Sequence, residues 1–78
     1  MNPRVKKVTP NNDYTLTITF TNNELKQFDM KPYLNTGIFK ELNDLSYFNS
    51  VQPFLGSIQW KNGQDLCPDT LYEDSTKI

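Results

Sequence analysis

Tyr14, Leu16, Ile18 and Phe20 alternate without a break with Thr15, Thr17 and Thr19, and a period of two is the pattern of a strand buried on one face only. Threonine suits the other face, because its branched Cβ favours extended backbone while its hydroxyl stays hydrated. Turn-forming residues bound this strand on both sides: Pro10-Asn11-Asn12-Asp13 before it and Thr21-Asn22-Asn23-Glu24 after it. The segment is therefore the middle of an antiparallel meander, with Arg4 to Thr9 as the preceding strand and Leu25 to Met30 as the following one. The second hairpin has an ambiguous register. A two-residue loop sets Leu25 opposite Phe20 and leaves Gln27 opposite Ile18, whereas a three-residue loop sets Phe28 opposite Ile18 and strands Leu25. A bulge near Lys26 or Gln27 reconciles the two.

With 78 residues, the chain buries only roughly 60% of its unfolded surface, too little for two cores. One domain is expected over 1–78, with its core in about 3–73 and a polar tail, 74–78, that frays. After the meander, Asp29 ahead of Pro32 reads as a capped helical turn. Thr36-Gly37 opens an amphipathic helix in which Ile38, Phe39, Leu42 and Leu45 make one apolar stripe. Tyr47 and Phe48 then act as core anchors. Val51 to Leu55 forms an edge strand, since Pro53 has no N–H for a ladder. Ser57 to Lys61 is a further strand with Ile58 and Trp60 alternating, and Asn62-Gly63 is the strongest short hairpin signal in the chain. Pro68 starts a last helical turn. The fold class expected is α+β, a mixed or antiparallel sheet of about five strands with one amphipathic helix and short helical turns. Its core is built from Tyr14, Leu16, Ile18, Phe20, Phe28, Phe39, Leu42, Phe48, Ile58, Trp60 and Leu66.

Much chemistry is missing. There is no histidine and a single cysteine, so the commonest general base, an intramolecular disulfide and a His/Cys zinc site are all excluded. Eight Lys+Arg against nine Asp+Glu provide no long-range field for nucleic acid or anionic membrane. No stretch approaches the roughly 18 apolar residues of a span, and Met1 leads into Asn2-Pro3-Arg4 rather than a signal peptide. A cytoplasmic location follows as the expectation. Asp65 and Asp69 around Cys67 lack the alternating oxygen ligands of a calcium loop, and read as a turn acid and a helix-start acid. Cys67 has no activating neighbour and is expected to be a small buried hydrophobe. Trp60 with Lys61 and Tyr72, together with Arg4, Lys6 and Lys7, is the combination of a single-strand binder, but aromatics at sheet spacing are core far more often. No catalytic, cofactor or metal residue is assigned, and no enzymatic activity or cofactor is expected.

The segment Ile58-Gln59-Trp60-Lys61-Asn62-Gly63-Gln64-Asp65-Leu66, followed by Pro68-Asp69-Thr70-Leu71-Tyr72, resembles the bacterial domain-of-unknown-function family 2442. The motif residues are Trp60, Asn62, Gly63, Asp65, Leu71 and Tyr72, and the likeness extends upstream through Tyr14 to Phe20 and Phe28-Asp29 with Pro32. Asn23 stands where that family usually has glycine, and asparagine also adopts the left-handed conformation. The resemblance implies a compact α+β domain in a bacterial setting, beside another small protein in an arrangement like a toxin and antitoxin pair, or joined to a helix-turn-helix domain. Both settings point to a protein-interaction or regulatory module, antitoxin-like, with a nucleic-acid-binding or transcription-associated domain as the alternative. The partner expected is another small protein or a second copy, with no membrane role and no direct nucleic-acid contact. The candidate partner surface is the edge at Val51, Phe54 and Leu55.

Overall fold

Leu16, Ile18 and Phe20 are fully withdrawn from solvent while Thr17 and Thr19 are half covered, as the alternation requires; at the start of the segment the pattern fails, since Thr15 is buried and Tyr14, at φ +65°, is not extended. In the computed structural model, which describes residues 2–78, the alternating residues from Thr15 on form β2 (Thr15–Phe20), flanked by β1 (Val5–Pro10) and β3 (Leu25–Asp29) in antiparallel pairing. The loop Thr21-Asn22-Asn23 closes with the Phe20 N–H on the Glu24 carbonyl at 2.9 Å and the Asn23 N–H on the Phe20 carbonyl at 2.8 Å. Asn23 has φ +69°, so asparagine does take the left-handed position usually given to glycine.

The register matches neither alternative from the sequence. Leu16 faces Phe28, Ile18 faces Lys26 and Thr19 faces Leu25 in an unbroken ladder, and the irregularity lies instead between Val5 and Lys7 in β1. The expected bulge near Lys26 is corrected accordingly. Leu25 is consequently 46% exposed and Lys26 only 9%. Lys26, Phe28 and Met30 share one face, so burying the two large apolar side chains carries the lysine stem inward with them. Its ammonium meets the C-terminal helix, donating to the Tyr72 carbonyl at 2.7 Å.

The expected amphipathic helix, from Thr36-Gly37 to Leu45, is broken at Asp44 into a 3-10 helix and a short α-helix. A 3-10 helix covers Lys31–Tyr33; its N-cap residue is Met30, which makes no side-chain cap, and Asp29 Oδ1, one residue earlier, accepts from the Lys31 N–H at 2.9 Å, while a second 3-10 helix covers Gly37–Asn43. At three residues per turn the inward face is Phe39 and Leu42, and Ile38 rotates out to 65% exposure. Asp44 then stops the run and caps α1 (Leu45–Phe48), its Oδ1 accepting from the Ser46 N–H at 3.0 Å.

A second antiparallel sheet follows, with β4 (Gln52–Phe54), β5 (Ser57–Gln59) and β6 (Asp65–Leu66) in the order β4-β5-β6. Leu55 and Gly56, at φ +49° and +82°, are the two loop residues of the β4–β5 hairpin, the left-handed pair of a type I′ turn. Trp60 and Gln64 close the β5–β6 loop around Gly63 at φ +92°. The chain ends with α2 (Pro68–Asp74) and β7 (Thr76–Lys77), which pairs with β3. The segment 74–78 is thus not a loose tail: it finishes α2 and adds the fourth strand of the order β1-β2-β3-β7. The architecture is a single α+β domain of seven strands in two antiparallel sheets, rather than about five strands in one.

The two sheets and α2 enclose a single core. Of the residues expected there, Tyr14, Phe39 and Leu66 are only partly buried, while Val5, Met30, Leu34, Val51 and Leu71 join it. Among the described residues, every buried side-chain polar atom has a hydrogen-bond partner.

Candidate functional site

Of the C-terminal motif residues, Trp60, Asn62, Leu71 and Tyr72 serve the framework. Trp60 is 2% exposed, and its indole N–H donates to the Phe48 carbonyl at 2.9 Å, so the ring is not a platform for stacking bases. The Asn62 N–H donates to Tyr47 Oη at 2.8 Å, and the Asn62 amide donates to Glu41 Oε2 at 2.7 Å. Gln64, unassigned in the sequence reading, is the centre of this network. It is 3% exposed, accepts from Tyr47 Oη at 2.6 Å, and donates to the Ile38 carbonyl at 3.0 Å and Glu41 Oε1 at 2.9 Å. These bonds pin the β5–β6 hairpin to the second 3-10 helix. Leu71 is fully buried, and the Tyr72 ring meets Phe20 edge-on at 5.0 Å.

Tyr72 also donates its hydroxyl to the Glu24 carboxylate, and Lys26 Nζ lies 3.9 Å above its ring. The hydrogen bond from Tyr72, then that from Asn22, holds Glu24 below its ordinary value of 4.5. The bond to Glu24 holds the Tyr72 phenol above its ordinary 10.0. Both shifts run away from neutrality, whereas a general acid or base needs a value near it. They also set a pH dependence. Stability tied to Glu24 is present above its unfolded value of 4.5 and is lost as the pH falls through the lowered folded value. Stability tied to Tyr72 is present below 10.0 and is lost as the pH rises through the raised folded value. Urea midpoints measured across pH are expected to fall at both limits. Glu24→Gln makes the acid limb shallower but does not abolish it, because the Thr15 hydroxyl also lowers Asp13. An acid limb identical in Glu24→Gln contradicts the assignment.

The acids and the thiol do not assemble a centre. Cys67 is exposed at the N-cap of α2, which corrects its reading as a buried hydrophobe; the cap residue lies outside the stripe that buries Leu71. Asp69 sits in the first turn of α2 and accepts from the Asn2 amide at 3.4 Å, as a helix-start acid should. Asp65 lies across the ladder from Gln59. Among the described residues, no group of three His, Cys, Asp or Glu side chains is placed to hold a metal ion. A shallow groove of about 390 Å³ contains Asp13, Asp29 and Asp74 with Lys31. Two of those acids are already engaged, Asp13 by Thr15 and Asp29 by Lys31.

The β4–β5 hairpin is different. Phe54 is 49% and Leu55 87% exposed, side by side on an edge strand whose Pro53 cannot donate to a neighbour. Val51, expected on this surface, is 8% exposed and belongs to the core. Its N–H is held by the Phe48 carbonyl at 3.3 Å, and along an extended chain it faces opposite to Gln52 and Phe54. The base of the lip is tied to β1: the Val5 N–H donates to the Gly56 carbonyl at 2.9 Å. A Cβ on Gly56 would meet the Arg4 side chain at 3.2 Å. A groove of about 430 Å³ runs beside the lip, lined by Phe54, Leu55, Ile58, Asp65, Leu66 and Pro68 among others. A second of about 230 Å³ lies along Gln52, Phe54, Gln59 and Lys61.

Compared with known proteins, residues 5–77 match the model of a family described as "Protein of unknown function (DUF2442)". No curated protein and no solved structure matches the chain.

Proposed function

The chain belongs to the DUF2442 family of proteins of unknown function across nearly its whole length, and from that premise together with the geometry above we propose that it is a non-catalytic protein-interaction module that binds through the Phe54–Leu55 lip. The observation that carries this reading is Leu55: an 87% exposed leucine in the left-handed region at φ +49°. That conformation costs an L residue about 1–2 kcal/mol, and the exposed side chain recovers almost nothing by burial in its own chain. The type I′ turn requires the conformation but not a leucine, since asparagine or glycine adopts it at less cost, which favours a role for the apolar side chain outside the fold. The apolar lip favours a protein over a phosphate backbone. The setting in keeping with the resemblance is the bacterial cytoplasm, with the module as the regulatory, antitoxin-like member of a small two-protein pair. No helix among the described residues is long and apolar enough to cross a membrane.

The test is affinity capture of the tagged chain from its native host, followed by mass spectrometry, with Phe54→Ala in parallel and at two ionic strengths. A protein partner lost with Phe54→Ala, and retained with little change at higher salt, is the expected outcome. Binding to nucleic acid that weakens steeply with salt and survives Phe54→Ala overturns the reading.

A further inference from the structure

We infer that the occupant of the lip is a second copy of this chain, in a two-fold dimer where Leu55 of each copy enters the groove beside the lip of the other. The inference rests on reading the lip as a contact surface, and goes beyond it by naming the partner. A two-fold interface needs a patch complementary to itself. Here the projecting side chain, Leu55, and an apolar groove of about 430 Å³ share one patch, with Phe54 and Leu55 forming one wall of that groove. The charges also pair with themselves. Asp65 is the ionised residue lining this groove, and Lys61 is the ionised residue lining the smaller groove on which Phe54 also borders. Among the described residues, neither Asp65 nor Lys61 has an ion pair within the chain. Two copies related by a two-fold axis therefore offer each carboxylate an ammonium from the other copy, twice over, which is electrostatic complementarity without a foreign partner. The contact is made by side chains rather than by extending the sheet, since Pro53 removes a donor from the β4 edge.

Sedimentation equilibrium over a concentration series reads this directly, with Leu55→Asn as the main variant. Asparagine accepts the left-handed conformation, so Leu55→Asn keeps the hairpin while removing the apolar projection. Its melting temperature at a concentration where the wild type is monomeric is expected to equal or exceed that of the wild type. The wild type is expected to dimerise and Leu55→Asn to weaken dimerisation at least about 30-fold, the effect of losing a central anchor. Asp65→Lys and Lys61→Asp are each expected to weaken self-association, and an equimolar mixture of the two to restore it. A wild type monomeric throughout the series, a dimer that Leu55→Asn leaves intact, or a mixture that restores nothing overturns the inference. A monomeric wild type that still captures another protein through Phe54 also overturns the dimer, while leaving the contact surface standing.

Discussion

Trp60→Ala is expected to lower the unfolding free energy by about 3–5 kcal/mol, the cost of emptying a large buried aromatic site. The indole is 2% exposed, packs against Phe48 with ring centroids 6.1 Å apart, and donates its N–H to the Phe48 carbonyl. Truncation removes apolar burial, leaves a cavity between the second sheet and α1, and takes the indole donor from the Phe48 carbonyl, which keeps the Val51 N–H. A domain of this size has about 5–15 kcal/mol in total, and each kcal/mol moves its melting temperature by about 4–8 °C. The variant should therefore be partly unfolded at physiological temperature. Trp60→Phe separates the two contributions, because it keeps most of the ring and loses the donor, with an expected cost of about 1–3 kcal/mol. Urea denaturation of the three proteins checks the order, and a Trp60→Ala loss below about 1 kcal/mol contradicts the core assignment.

Gln64→Ala is expected to cost about 2–3 kcal/mol, although no apolar contact is at stake. Gln64 is 3% exposed and serves Tyr47, Ile38 and Glu41 at once. Its removal leaves the Ile38 carbonyl and the Tyr47 hydroxyl each short of one partner at a part-buried position. Gln64→Glu is the sharper probe. It keeps the shape but sets a carboxylate against the Glu41 carboxylate and the Ile38 carbonyl, both acceptors. The introduced group has a folded pKa raised above its unfolded value, so the variant is less stable than Gln64→Ala near neutral pH. It recovers as the pH falls and the group protonates. Urea midpoints for both variants at neutral and mildly acidic pH give the comparison. Gln64→Glu as stable as the wild type at neutral pH shows that the network does not hold the hairpin.

What was legible in the sequence was what local chemistry decides. Strict alternation from Leu16 to Phe20 specified β2, its buried face and its neighbours on both sides, whereas Tyr14, at φ +65°, lies before the strand and Thr15 is buried on the other face. Asn23 was compatible with a left-handed turn, Asp29 with Pro32 marked a helical turn, and Pro53 marked an edge. The exposed lip at Phe54 and Leu55 followed from that edge. The structure decided everything that depended on which of two local solutions buries more. Ile38 and Phe39 are adjacent, and an α-helical period admits both to one face; the 3-10 winding that ends at Asp44 admits only Phe39. Leu25 and Lys26 likewise compete for the core face of β3, and the choice falls on Lys26 because Phe28 and Met30 share its parity. Val51 was misplaced because it was grouped with Phe54 by apolar character, while the extended backbone sends the two to opposite faces. Thr76 and Lys77 carry no strand signal, since backbone groups of β3 recruit them, and ladder hydrogen bonds leave no pattern in the side chains. The same limit hides Gln64. A polar residue in a hairpin loop announces nothing until the fold brings Tyr47, Glu41 and Ile38 around it, and the left-handed strain at Leu55 is a property of the closed hairpin, not of leucine.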